Sequence, residues 1–283
     1  MIIWLASYPK SGNTWVRAFI TSLFYESSGN NSLEHIAQIR SYPLSQDFYN
    51  LLDDFNDLKK IAANWESSQS IINLQKKIKI IKTHHALCQI NNYPFTNYKN
   101  SIGAIYIVRD PRNVITSLMH HYSIENYNEA LKFILDKDRF TGKLGRKESY
   151  QRETQFPTYI SNWKNHYNSW NSFKKNFLLI KYEDLINNPK KTFNKISKYL
   201  SKVLNVKIDD NKINEAIEKS SFKNLQKSEE KFGFVEAPFG GITDKKKFFN
   251  LGPKNNWREF LPTKIKNEIE KKFEKEMIKL GYL

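Results

Sequence analysis

The 283-residue sequence predicts an α/β protein, an open sheet of mainly parallel strands with helices on its faces, three layers in all. Three observations predict it. Four short apolar runs have the near-continuous hydrophobicity of strands buried on both faces: residues 2–7 ("IIWLAS"), 79–83 ("KIIKT"), 104–108 ("AIYIV") and 177–182 ("FLLIKY"). Each run gives way to polar residues and then, sooner or later, to a helical repeat. No internal repeat and no low-complexity linker interrupts this order, so residues 1–283 are expected to form a single domain.

The elements follow in order. Thr14–Tyr25 is the first predicted helix. Arg112–Tyr122 is another, with Asp110 as its N-cap and Pro111 at its first position. Residues 159–173, 189–200 and 261–280 have helical periodicity. Residues 26–78 and 124–157 are longer, helical or irregular, and are expected to shape a substrate pocket rather than to carry the sheet. In open α/β sheets ligands bind beyond the carboxyl ends of the strands. That rule singles out Ser7–Thr14, Thr83–His85, Arg109–Asp110 and Tyr182–Asp184.

Composition narrows the class. Hydrophobic residues make up 40% of the chain, enough for a sizeable core. The single cysteine, Cys88, excludes a disulfide framework within the chain. The apolar start lacks a charged n-region and is broken by Tyr8-Pro9-Lys10, so no signal peptide is expected. No stretch approaches the roughly 18 apolar residues of a membrane span. A cytoplasmic protein without integral membrane association is the expectation. The formal net charge of +16 suits an anionic partner. It suits equally a lysine-rich composition, for many lysines alternate with glutamates, as in "KIKNEIEKKFEKEMIKL".

The stretch "SYPKSGNTW" (7–15) is the most specific. A nucleotide P-loop reads G-x-x-x-x-G-K-[ST]. Lys10-Ser11 supplies the final pair, but Leu5 and Pro9 stand where the glycines belong. The physics of an anion site survives that loss. Amides of Ser11 to Thr14 open a helix, whose N-terminus favours negative charge. Lys10 adds a cation, and Ser11, Asn13 and Thr14 add donors.

"YPKSGNTW" resembles the 5′-phosphosulfate loop of the PAPS-dependent sulfotransferases, usually YPKSGTTW, with Asn13 replacing a threonine. The resemblance implies that Lys10, Ser11, Gly12, Asn13 and Thr14 bind the donor and that Trp15 stacks on its adenine. "YIVRDPRNVITSLMHHY" (106–122) is similar to the family's 3′-phosphate segment, which maps onto Arg109 and Ser117. An ion pair with Asp110 or another carboxylate is the alternative for Arg109. "IKTHH" (81–85) resembles the family's Lys-Thr-His; by that match His84 is the general base, Lys82 a second cation at the reaction centre, and His85 the fallback base. "IKYEDLINNP" and "SSFKNLQ" resemble adenine-side stretches, carried onto Tyr182, Ser220 and Phe222. In "FFNLGPKNNWREFLP" (248–262), Gly252, Trp257 and Arg258 match the family. Asn250 and Leu251 stand where it has a basic pair for the 3′-phosphate, and Lys254 or the Lys245–Lys247 run is the expected substitute. Residues 233–256, with a Gly-Gly pair, look like a lid loop over the donor. Trp163, His166 and Trp170 keep the spacing of a family helix and are taken as core packing.

The resemblance implies a P-loop-NTPase-like fold and transfer of a sulfuryl group from PAPS to a hydroxyl or amine. Adenosine 3′,5′-bisphosphate (PAP) is the other product. The expected acceptor is a small molecule, lipid or glycan, and neither a nucleic acid partner nor a metal is expected. Two other classes share some of the signals. A P-loop kinase or NTPase would cast Ser11 and Asp110 as magnesium ligand and Walker-type acid. A non-enzymatic polyanion binder would use the net charge alone.

Overall fold

A computed structural model describes residues 1–25, 31–142, 156–237 and 246–283. The first stretch of chain runs through β1 (Ile2–Ser7), α1 (Asn13–Phe24), α2 (Leu58–Ala63), α3 (Trp65–Asn73) and β2 (Lys79–Thr83). Two short strands, β3 (Gln89–Ile90) and β4 (Tyr93–Pro94), precede β5 (Ser101–Val108), α4 (Pro111–Tyr122) and α5 (Tyr127–Leu135). The short pair β6 (Phe140–Thr141) and β7 (Thr158–Tyr159) leads to α6 (Trp163–Asn171) and β8 (Phe177–Lys181). Helices α7 (Tyr182–Asn187), α8 (Pro189–Leu204), α9 (Asp210–Lys219), α10 (Phe222–Phe232), α11 (Trp257–Phe260) and α12 (Thr263–Leu280) complete the chain.

The chain divides into two compact units. The first joins Met1–Tyr8, Ile39–Ile107 and Asp136–Leu179; the second joins Pro9–Gln38, Val108–Leu135 and Ile180–Leu283. The segments expected to shape an acceptor pocket are each divided between them. Residues 39–78 lie in the first unit, whereas 124–135, including α5, lie in the second.

The first unit carries the sheet, in strand order β2-β1-β5-β8. β1 pairs in parallel with both β2 and β5. The order is not sequential, so the chain must cross over between strands, as in other open α/β sheets. Every residue of β1 is buried, which accounts for its unbroken apolar run. Trp4 centres an aromatic cluster with Tyr42, Phe95 and Trp170 at centroid distances of 5.3–6.4 Å. Its indole N–H donates to Ser101 Oγ at 2.7 Å. That bond places a polar residue inside the ladder, and β5 begins at Ser101, three positions before its apolar run. The helix expected over 159–173 starts later, at Trp163. Residues 158–159 pair with β6, and Asn162 caps the helix by accepting from the Asn165 N–H.

Apart from the last residues of β5 and β8, the regular elements of the second unit are helices among its described residues. α12 buries Ile265, Ile269, Phe273, Met277 and Leu280, one stripe at helical spacing, and stops at Gly281 in the left-handed conformation. α5 is tied to this unit by a hydrogen bond from Tyr127 Oη to the Phe260 carbonyl and by Phe133 packing on Tyr122. Tyr182 opens α7 instead of closing the last strand as the apolar run predicts. Glu183 and Asp184 in the following turn suit a helix start. Among the described residues, no helix is long and apolar enough to cross a membrane.

Candidate active site

The second unit holds the anion loop. Lys10 has φ of 65° and Gly12 φ of 98°, and these two turns swing the chain from Pro9 into α1. Gly12 is the helix N-cap and supplies no side-chain bond to the first amides. Ser11 is fully buried, and its hydroxyl has no hydrogen-bond partner among the described residues. Asn13 and Thr14 are buried beside it. An orphan hydroxyl next to uncapped helix amides is the arrangement that an anionic oxygen completes, so these residues fit the donor's 5′ end. The Lys10 ammonium lies 4.1 Å from the Phe248 ring centroid.

Gly12 is required by close approach as well as by its φ. A Cβ there would collide with the Tyr182 ring. We expect Gly12→Ala to cost about 1–3 kcal/mol of stability through overpacking and strain, measurable by urea unfolding. An unchanged midpoint would show that the loop relaxes around the methyl group.

Tyr182 ties the predicted donor residues together. The Arg109 guanidinium lies 4.1 Å above its ring, and Arg109 Nη1 donates to the Lys10 carbonyl at 2.9 Å. Trp15 meets Tyr182 edge-on at 5.9 Å and Phe193 at 6.0 Å. Its buried indole N–H has no partner among the described residues. Asp110 is engaged by Arg112, not by Arg109, through contacts of 2.7–3.2 Å, and it caps α4 through the Arg112 amide. Arg112 also reaches Glu270 and the Tyr282 carbonyl. Asp110 is thus occupied by an arginine where a Walker-type role would need it for metal. Beneath this turn the Glu183 carboxylate accepts from the Asp110 amide at 3.0 Å and from Tyr282 Oη at 2.8 Å. Burial is the main cause that raises its pKa. Sequence reasoning missed Glu183, Arg112 and Tyr282 as supports of the arginine turn. Only the acidic position after the last strand offered a signal.

The later donor residues are less uniform. Ser117 is half-buried on α4. Phe222 lies against Gly252, which has φ of 51° and no room for a Cβ beside that ring. Ser220 is fully buried and its hydroxyl bonds the Ala216 carbonyl at 2.7 Å, a local helix contact. Lys254 is exposed. Where the family has a basic pair, Asn250 Nδ2 contacts His120 Nδ1 at 3.2 Å, and His120 Nε2 donates to the Lys247 carbonyl at 2.7 Å. Glu229, buried and unremarked in the sequence, accepts from the amides of Phe248 and Phe249 at 2.6 and 2.9 Å. Lys246 reaches Ser123 Oγ, and Lys247 pairs with Glu230. The Gly-Gly pair of the expected lid and Lys245 lie outside the described residues.

The first unit holds the expected base. His84 follows β2 and is half-buried. Its Nδ1 lies 2.8 Å from the Ser7 carbonyl and 3.3 Å from Ser7 Oγ. A carbonyl oxygen only accepts, so Nδ1 carries the proton and Nε2 keeps its lone pair. Ser7 is therefore an orienting residue, and nothing but its place at the end of β1 marked it in the sequence. Lys82, 7% exposed, pairs with Leu5 in the β2–β1 ladder. His84 stands two positions beyond it, just past the end of the strand. His85 is fully buried, stacked 4.2 Å from Phe95 and edge-on to Trp65. Burial pushes its imidazole down to about 4. Sealed in the core, it is poorly placed to take a proton from an outside acceptor.

The family model for the sulfotransferase domain matches residues 2–281. The chain belongs to the sulfotransferase family. It is accordingly a PAPS-dependent transferase. This sulfotransferase is 24% identical to dog sulfotransferase 1B1, over 96% of this chain and 82% of the relative. It is 20% identical to human sulfotransferase 2A1, over 98% and 84%. It is 25% identical to Arabidopsis thaliana cytosolic sulfotransferase 7, over 95% and 78%. Among solved structures, mouse sulfotransferase SULT7A1 complexed with PAP aligns with a TM-score of 0.61 at 20% identity, covering 98% of this chain and 84% of that one. Retinol dehydratase in a complex with retinol and PAP aligns at 0.59 and 17%, covering 98% and 81%. At such identities these likenesses carry the fold. The sulfotransferase has the mainly parallel α/β architecture that its apolar runs predict.

Proposed function

We propose that this sulfotransferase moves the sulfuryl group of PAPS to a hydroxyl or amine of a small-molecule, lipid or glycan acceptor, with His84 as general base. The observation that carries this is the tautomer of His84: Nδ1–H donates to the Ser7 carbonyl, so Nε2 is the unprotonated nitrogen, the one whose lone pair can take a proton. His84 Nε2 takes the acceptor's proton as the new bond to sulfur forms and the bond from sulfur to the 5′-phosphate oxygen breaks. The charge left on that phosphate falls to Lys10, the α1 amides and the Ser11 hydroxyl. Arg109 holds the 3′-phosphate with Ser117, and Trp15, Tyr182 and Phe222 border the adenine. Lys82, two positions before the base in sequence, adds a second cation. Lys254, Lys246 and Lys247 are the candidates to replace the missing basic pair.

Two solved fold neighbours contain PAP, and retinol dehydratase has been solved with androsterone and with retinol. Apolar alcohols of that kind are the first acceptors to try. Two of the relatives are named cytosolic sulfotransferases, which supports a cytoplasmic location.

The test uses labelled PAPS with phenols, steroids, lipids, amines and oligosaccharides. Label should pass to at least one class. PAP without metal should stabilise the protein, by about 2.7 kcal/mol at 100 times its Kd. Failure of both, or stabilisation by Mg·ATP alone, would overturn the proposal in favour of a nucleotide-hydrolysing or phosphoryl-transferring protein.

A further inference from the structure

His166 has no place in the chemistry above, and its spacing with Trp163 and Trp170 suggests only packing. Its hydrogen bonds suggest more. We propose that His166 is a positioning residue for His84, holding the base-bearing loop to α6 by its backbone; this rests on the reading of His84 as the base.

His166 is fully buried, and its Nε2 lies 3.0 Å from the His84 carbonyl. The carbonyl can only accept, so Nε2 carries the proton and Nδ1 accepts from Tyr106 Oη at 2.8 Å. Both ring nitrogens are spent, and the ring is locked in one tautomer and one orientation. One turn along the same face, Trp170 Nε1–H donates to the His85 carbonyl at 2.8 Å. Between them Ser169 Oγ accepts from the Leu87 amide at 3.0 Å. The Tyr159 carbonyl, just before α6, accepts from the Ala86 amide at 2.7 Å. Four consecutive residues, 84 to 87, are thus gripped through their main chain by one helix and its lead-in. Burial keeps His166 neutral, with its imidazole pushed down to about 3, which preserves the acceptor that Tyr106 needs.

Packing alone would be served as well by an aromatic ring of similar size. A phenyl ring cannot donate to the His84 carbonyl. The carbonyl and the imidazole belong to one residue, so a loosened backbone moves the base, and a 1 Å misplacement can cost about 10²-fold in rate.

Kinetics on folded variants test this. His166→Phe should lower kcat roughly tenfold or more, toward that 10²-fold limit, while PAP affinity and the KM for PAPS hold. His166→Gln retains an amide donor for the carbonyl and an acceptor for Tyr106, and should keep kcat within about threefold. In a His84→Ala background, His166→Phe should add no further loss, since the group it positions is gone. A full additional loss in that background overturns the proposal, as does wild-type kcat in the folded His166→Phe enzyme. Should His166→Phe not fold, a folded His166→Gln enzyme that binds PAP normally but is as slow as His84→Ala overturns it. A His84→Ala enzyme with unchanged kcat overturns the reading of His84 as base, and the positioning role with it.

Discussion

His84→Ala should lower kcat for sulfuryl transfer by about 10²- to 10⁴-fold, the range of a lost general base. Its affinity for PAP should stay within about twofold, because in the proposed role the imidazole would serve the acceptor and not the nucleotide. The split is what identifies the role. A histidine that merely supported the fold would reduce kcat, PAP binding and melting temperature together. The side chain is half-buried and anchored at one nitrogen by the Ser7 carbonyl, so its removal leaves no large core cavity. Isothermal titration with PAP, beside steady-state rates with labelled PAPS, measures both quantities. Rates within a few-fold of wild type would mean that the acceptor loses its proton to another group or to water.

Lys10→Ala should be the second severe lesion, at about 10²- to 10³-fold in kcat, comparable to removing a donor from an oxyanion hole. Here part of the effect should appear in PAP binding, because the 5′-phosphate remains in the product. Lys10 also touches Phe248, so truncation removes packing along with charge. Lys10→Met separates the two contributions. It keeps an unbranched apolar stem for the ring and discards the cation. A methionine enzyme as slow as the alanine enzyme assigns the effect to charge. Recovery of most of the rate with methionine would assign it to packing, and the electrostatic role would be wrong.

Much of this was legible in the sequence where the rules are local. The β1–loop–α1 junction could be read because strand, turn and helix start each leave a short-range mark, and Gly12 falls where the chain needs positive φ. The Asp110-Pro111 helix start was legible for the same reason, and Asp110 caps α4 through the Arg112 amide. The strand ends were displaced where distant partners decided them. Ser101 enters β5 because Trp4, 97 positions away, supplies a donor for its hydroxyl. The supports of the site were not legible. Nothing near Arg109 in sequence announces that Glu183 accepts from the next amide, or that Glu229 holds the backbone of Phe248 and Phe249. Ser220 shows the opposite limit. The motif marks the residue but not where its hydroxyl points, and the Ala216 carbonyl is only one turn away. His166 was legible as core and illegible as a donor, because burial follows periodicity whereas a tautomer depends on who stands at each nitrogen.

The two adjacent histidines bear on which changes in chain length the protein can survive. His84 and His85 directly follow β2, whose register is set by the pairing of Lys79 to Thr83 with Ile2 to Ala6. Adding or deleting a single residue within that ladder would shift both histidines along the chain, drawing one away from the Ser7 carbonyl and the other away from Phe95. No point substitution would be needed to silence such a protein, and every motif residue would still be present in its sequence. Insertions are better tolerated just upstream, around Leu74 to Ile78, where Leu74 is 74% exposed and the chain has not yet entered the sheet.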